Sequence, residues 1–194
     1  MKCSYAWTHL DFKKGGYAPC FRFKNTNDVQ RGEYWLESGA DKLPSQVINN
    51  KDFQTVREQL RNDEWPAGCI DCKTQEEAGM SSYRTRSLEY TDQYTEPDYD
   101  SNVAVIRDLQ LKMSRACNYT CRHCDSASNS SFEKLGRQFP EIENELKTKY
   151  QFSHITPAGD KKIIIPTAEV MEDLYENVFP TVEQLEFSGG EPFY

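Results

Sequence analysis

The sequence predicts a mixed α/β chain in two parts: a small cysteine-rich α+β unit, then the opening strands and helices of a parallel-sheet domain. Three observations lead there. Lys13-Lys14-Gly15-Gly16 stands between two aromatic-rich runs, which is a hairpin signal. From 103 to 187 the patterns come in the order strand, helices, strand, the βαβ arrangement of a parallel sheet. The cysteines divide into Cys3, Cys20, Cys69 and Cys72 on one side and Cys117, Cys121 and Cys124 on the other, which suggests two separate sites.

Along the chain, residues 5–12 and 17–23 read as short strands on either side of the turn. Residues 25–46 are polar, carry Gly32, Gly39 and Pro44, and read as a loop with short local structure. Phe53, Val56 and Leu60 share one face of a helix from Asn50 to Asn62, which Trp65-Pro66 ends. Gly68-Cys69-Ile70-Asp71-Cys72 follows as a tight loop, and the Tyr-rich residues 73–102, without periodicity, read as a linker packed over a surface. Leu109, Leu111 and Met113 alternate with Gln110 and Lys112, predicting a strand entered from the apolar stretch 103–106. The segment Cys117–Cys124 then lies in the loop leaving that strand. A helical stretch starts near Ser131, breaks near Gly136 and Pro140, and resumes through Tyr150, before a loop at 153–162. Thr167 caps a helix to Val178, with Val170, Met171, Leu174 and Val178 on one side and Pro180 stopping it. Val182 to Phe187 is the next strand, closing in Ser188-Gly189-Gly190-Glu191-Pro192.

Composition narrows the function classes. The chain has 194 residues, 23 basic and 31 acidic side chains, a net charge of −8 and a pI near 5.0. Phosphate neutralisation needs clustered Lys and Arg, so no nucleic-acid partner is expected. A hydrophobic content of 37%, with 12% aromatics, supports a core and argues against disorder along the whole chain. Runs such as Val103-Ala104-Val105-Ile106 and Ile163-Ile164-Ile165 are too short to span a bilayer, and the first residues lack a signal peptide's apolar core. The expectation is a cytoplasmic protein with no membrane partner and reduced thiols. Seven cysteines, an odd number, exclude a fully paired disulfide scaffold. Asn118-Tyr119-Thr120 and Asn129-Ser130-Ser131 match glycosylation sequons by chance.

Cys117-Asn-Tyr-Thr-Cys121-Arg-His-Cys124 has the spacing C-x3-C-x2-C. Three thiolates on one short loop can hold three corners of a four-iron cluster and leave the fourth iron open. On spacing alone, a zinc site with His123 as fourth ligand is the alternative. Gly189-Gly190-Glu191 ends the next strand: its glycines permit close backbone approach to a ligand, and the carboxylate can accept hydrogen bonds from an ammonium.

The cysteine loop and the Gly-Gly-Glu motif, each after a strand, resemble the radical S-adenosylmethionine (radical SAM) superfamily. The resemblance implies that Cys117, Cys121 and Cys124 ligate a [4Fe-4S] cluster whose open iron binds SAM, with Gly189, Gly190 and Glu191 holding the SAM amino group. It implies cleavage of SAM to a 5′-deoxyadenosyl radical that abstracts hydrogen from a substrate. His123 departs from the family, which usually has an aromatic residue there.

The spacing of Cys3, Gly15 and Cys20, followed by Cys69-x2-Cys72, resembles the SPASM/twitch auxiliary-cluster domains of that superfamily. No C-x5-C-x3-C run follows Cys72, so the shorter twitch form fits best; Trp65-Pro66 and the Glu76-Glu77-Ala78-Gly79, Ser82 and Arg84 positions also resemble it. The resemblance implies a second, fully ligated [4Fe-4S] cluster on Cys3, Cys20, Cys69 and Cys72. In most relatives this domain follows the barrel; here it precedes it. The implied architecture is a twitch unit at 1–85, a linker at 86–102, and at 103–194 the first two strand–helix units of a (β/α)6 partial TIM barrel, truncated after the Gly-Gly-Glu motif. Implied partners are SAM, a peptide or protein substrate, and an electron donor such as flavodoxin or ferredoxin. The rival readings are a non-catalytic zinc-binding module, for which the four cysteines would form a zinc knuckle, and one half of a split enzyme.

Among the remaining residues, His9 and His154 read as packing or surface histidines, and Trp7, Trp35 and Trp65 as core of the first unit. Arg115 and Arg122 flank the cysteine loop, as charge partners of a cluster or as surface. The acidic stretch 141–147 and the Tyr/Asp-rich stretch 90–100 read as solvated faces.

Overall fold

The computed structural model describes residues 1–13, 16–24, 37–38, 42–89, 95–112, 116–121, 129–141 and 166–191. Trp35, Arg115, Arg122, His123, Cys124, His154 and most of the acidic stretch 141–147 lie outside them. The chain forms two compact units, Met1–Leu111 with Pro166–Glu186, and Lys112–Ile165 with Phe187–Tyr194.

In the first unit the expected hairpin is present but shorter than its aromatic runs. Ser4–Thr8 is a helical turn, α1, and not the start of a strand. Ala6, Trp7 and Thr8 are all buried, and the Thr8 hydroxyl donates to the Ser4 carbonyl at 2.8 Å. Burial on every side removes the inside–outside alternation a half-buried strand requires. His9–Lys13 (β1) and Gly16–Ala18 (β2) pair antiparallel with Phe12 opposite Tyr17, and these rings stack with centroids 4.5 Å apart. The two-residue strand Glu37–Ser38 (β3) pairs with the outer edge of β2.

A short helix at Pro44–Val47 (α2) precedes Lys51–Arg61 (α3), where the periodicity placed a helix. The Asn50 side chain caps α3 by accepting the Phe53 N–H at 3.0 Å. Phe53, Val56 and Leu60 face the core, as expected, and Arg57 joins them fully buried. Its guanidinium donates to the carbonyls of Ala6, Ile48 and Asn102. Burial first, then repulsion from Arg61, pulls it down to about 10. The helix ends before Trp65-Pro66, because Asp63 takes a left-handed backbone with φ 58°.

Two further segments differ from the expectation. The segment read as a tight loop is a 3-10 turn, Ala67–Cys69, running directly into a helix, Ile70–Glu77 (α4). The segment read as a linker contains the rest of α4 and a second helix, Tyr83–Glu89 (α5). Both helices are short and bury few residues, so their apolar periodicity is weak.

Asp108–Lys112 (β4) forms as expected, and Gln184–Phe187 (β5) is the later strand. The sheet order is β3-β2-β1-β4-β5. Arg107 bonds Glu183 and Gln110 bonds Glu186, both at a separation of 76 residues, so β4 and β5 advance in the same direction. The mixed α/β class therefore holds, with a parallel pair whose connection contains helices among the described residues. Ser130–Gln138 (α6) begins that connection; it runs through Gly136 without a break but ends at Phe139, where the break near Pro140 is expected. Ala168–Asp173 (α7), capped by Thr167 accepting the Val170 N–H at 3.3 Å, continues as a widened turn, Leu174–Val178, and a 3-10 turn at Phe179–Thr181. Val170, Leu174 and Val178 are buried as expected, whereas Met171 is exposed.

Candidate functional site

Four thiols meet in the first unit. Cys3 stands immediately before α1; Cys20 lies two residues beyond β2, in a turn and not on the strand itself; Cys69 ends the 3-10 turn and Cys72 sits in the first turn of α4. The last two are three residues apart, so a helical turn sets them on one face. The Cys20 turn closes through Phe23 N–H donating to the Cys20 carbonyl at 3.1 Å, and Lys24 N–H then donates to the Gly68 carbonyl at 2.9 Å. Backbone alone thus ties the segment bearing Cys20 to the segment bearing Cys69. Close approach requires Gly68, since a Cβ there would lie 2.5 Å from Phe23 Cε2 and closer still to Cζ.

All four cysteines line one cavity of about 30 Å³, walled by Phe23, Leu60 and Trp65 on its apolar side and by Arg22, Tyr83 and Arg84 on its polar side. Burial pushes three of these thiols up, Cys3 to about 11 and Cys20 to about 12, with Cys69 higher still. Mutual repulsion between neighbouring cysteines adds to this in each case. A cation bound among them would reverse that balance by pairing with the thiolates and releasing their protons. Among the described residues, no three His, Cys, Asp or Glu side chains are grouped so as to hold a metal ion.

Arg84 is fixed at the rim of this cavity. Its Nε donates to Glu76 Oε1 at 2.9 Å and its Nη2 to Oε2, a bidentate fork, while Nη1 donates to the Lys2 carbonyl at 2.7 Å. The Ser82 hydroxyl also donates to Glu76 Oε1, at 2.5 Å, and the guanidinium lies 5.5 Å from the Trp65 ring centre. Burial would raise Glu76, but the bonds from Arg84 and Ser82 outweigh it and hold the carboxyl below its usual range. A second aromatic–cation group, Phe21, Arg22, Tyr83 and Arg86, flanks the cavity, with Arg86 4.2 Å and Arg22 4.8 Å from the centre of the Tyr83 ring.

In the second unit the cysteine loop and the Gly-Gly-Glu segment lie together. Glu191 N–H donates to the Ala116 carbonyl at 2.8 Å, beside Cys117. Gly189 and Gly190 have φ of 75° and 61°, left-handed values that glycine adopts without strain. A Cβ on Gly189 would also lie 2.5 Å from Lys112 Cε. Cys117 is buried and Cys121 exposed; Cys124 lies outside the described residues, so two of the three loop cysteines have a described position.

The loop is held by residues the sequence reading passed over. Asn129, almost fully buried, caps α6 by accepting the Ser131 N–H at 2.7 Å, and its Nδ2 donates to the Tyr119 carbonyl at 2.8 Å. The Ser131 hydroxyl donates to the Cys117 carbonyl at 2.5 Å, and Cys117 N–H donates to Ser130 Oγ at 3.2 Å. What reads as a sequon is a helix cap. An Asn directly before a helical stretch was the available signal.

His9 is buried on β1 with its Nδ1 2.9 Å from Asp108 of β4, a packing position as expected. No protein-family model, no curated protein and no solved structure matches the chain.

Proposed function

We propose that the chain belongs to a radical SAM enzyme carrying an N-terminal twitch unit. The observation that carries the reading is the hydrogen bond between Glu191 and Ala116, which joins the cysteine loop to the Gly-Gly-Glu segment. Sequence separates these motifs by about seventy residues, and a ligand held by both requires them side by side. In this reading Cys117, Cys121 and Cys124 ligate the cluster that binds SAM, and Gly189, Gly190 and Glu191 receive the SAM amino group. The parallel β4–β5 pair is then the opening of a (β/α)6 barrel.

Cys3, Cys20, Cys69 and Cys72 hold the auxiliary cluster. Zinc draws its sulfurs to about 2.3 Å from one point, whereas each thiolate of a cluster reaches a different iron around a volume. Four cysteines from three stretches of chain that line one cavity supply the donor set such a cluster needs. When bound, SAM and the open iron supply radical hydrogen abstraction. The chain's own residues place that chemistry: Asn129, Ser130 and Ser131 hold the cysteine loop, Gly189 and Gly190 bring backbone close, and Glu191 offers a carboxylate. A peptide or protein substrate and a flavodoxin- or ferredoxin-like donor complete the proposal, in a cytoplasmic setting; among the described residues no helix is long and apolar enough to cross a membrane.

Anaerobic purification followed by iron, zinc and labile-sulfide analysis tests it. About eight irons per chain are expected for two four-iron clusters, together with a change in the reduced protein's EPR spectrum when SAM is added. Stoichiometric zinc without labile sulfide would overturn the reading in favour of a zinc-binding module.

A further inference from the structure

We infer that Arg84 is the positioning and charge-compensating residue of the four-cysteine centre, and that Glu76 sets how much of its charge that centre feels. The inference rests on the cluster reading above. The Arg84 guanidinium is tied on several sides. Its three nitrogens reach two different parts of the cysteine set: the Lys2 carbonyl, directly before Cys3, and Glu76, one helical turn beyond Cys72 on α4. Cys3 and Cys72 come from distant parts of the chain, and Arg84 bridges the elements that carry them.

Nothing about this arrangement is loose. The Arg84 and Glu76 side chains are only 16% and 19% exposed, so their charges are poorly screened. The Ser82 hydroxyl holds the same Glu76 oxygen that Arg84 Nε uses, and Ser82 itself is fully buried. The guanidinium stands 5.5 Å from the centre of the Trp65 ring, and both residues line the cavity with all four cysteines. A lysine could supply charge here but not a planar fork with a third donor aimed at a carbonyl.

Four thiolates on an oxidised four-iron core leave a net double negative charge, and uptake of one electron adds a third. A fixed cation nearby therefore favours the reduced form, and a fixed anion opposes it. Arg84 and Glu76 form a pair with its positive member on the cavity wall. Removing the cation and removing its counter-ion then have opposite effects. That opposition separates an electrostatic role from a packing role, because loss of packing has no reason to change sign with the residue removed.

The test uses the full chain with C117A, C121A and C124A, so that only the four-cysteine centre takes up iron. It reads the midpoint of that centre by EPR-monitored titration with dithionite. Relative to this background, R84Q is expected to lower the reduction equilibrium about tenfold, which is about 59 mV downward for one electron. E76Q, which keeps an oxygen for Arg84 and Ser82, is expected to shift the midpoint upward, and R84K to fall between the background and R84Q. Shifts of the same sign in R84Q and E76Q, or none in either, would overturn the inference while leaving the cluster reading intact. If R84Q loses iron, the E76Q result decides: an upward shift supports the inference and an unchanged midpoint overturns it. Absence of iron and sulfide from the background protein itself would overturn both.

Discussion

Gly68 is the residue on which the four-cysteine centre is most exposed to a single added carbon. Gly68→Ala places a methyl within 2.5 Å of three atoms of the Phe23 ring, where van der Waals contact needs well over 3 Å. The backbone gives no objection, since Gly68 is not among the residues with positive φ. The ring cannot simply retreat, because Phe23 is 4% exposed within a cluster that includes Ala6, Trp7, Ala18, Val56, Leu60 and Tyr99. Overpacking of this kind costs about 1–3 kcal/mol. At about 2 kcal/mol the melting temperature of a chain this size falls by roughly 4–8 °C. The strain should also reach the centre, because Gly68 accepts the Lys24 N–H and adjoins Cys69. The assay is a double-mutant cycle by chemical denaturation with Phe23→Leu, which removes the outer ring atoms that the methyl meets. In that background Gly68→Ala should lose most of its cost, giving a coupling of about 1 kcal/mol or more. Equal costs in both backgrounds, or no cost in the wild type, would refute the steric reasoning.

Two other outcomes follow from the charges and thiols around the cavity. Glu76 has a folded pKa below its unfolded value of about 4.3, so its stabilisation is present above that pH and is lost as pH falls through the lower folded value. Metal-free Glu76→Gln should therefore trail the wild type by about 1.5–3 kcal/mol at neutral pH, with the gap narrowing at pH 3; a gap of constant size across that range would count against the pairing with Arg84. In metal-free protein at pH 8, a shift of Cys20 from 9.0 to about 12 lowers its thiolate fraction about a thousandfold. The greater nucleophilicity of a more basic thiolate recovers part of that, leaving alkylation roughly thirtyfold slower than for an ordinary thiol. Mass spectrometry should find the exposed Cys121 labelled well before Cys20 and Cys69, and equally rapid labelling of Cys20 would show that its thiol is not held in the cavity.

Sequence patterns reached some parts of this architecture and missed others for physical reasons. Helix α3 was legible because its cap and apolar stripe are local, and β4 and β5 because alternation and a glycine stop mark them. Helix α1 was misread because a helical turn buried on all sides leaves no periodic signature. The α4–α5 pair was missed because its role is to hold polar side chains, Glu76 and Arg84, against each other and not to bury an apolar face. Cysteine spacing separated the two cysteine groups but could not show that Cys20 and Cys69 are joined through Lys24 and Gly68, a contact between residues 44 positions apart. Asn129 showed its sequon and hid its cap, since the same three letters serve both.

The four donors around the cavity come from three separate stretches of chain, and this shapes the order in which the molecule can be made. Cys3 leaves the ribosome long before Cys69 and Cys72, so no early intermediate contains the whole ligand set. Loop closure between them is non-local and slow to nucleate. In the proposed reading, a cluster bridging these ends acts as a cross-link across a loop of about sixty-six residues, comparable to a disulfide worth roughly 4 kcal/mol in the chain-entropy account. On that reading iron delivery to this unit is a late folding step, and a cell short of iron would accumulate a chain that is translated in full but left without its staple.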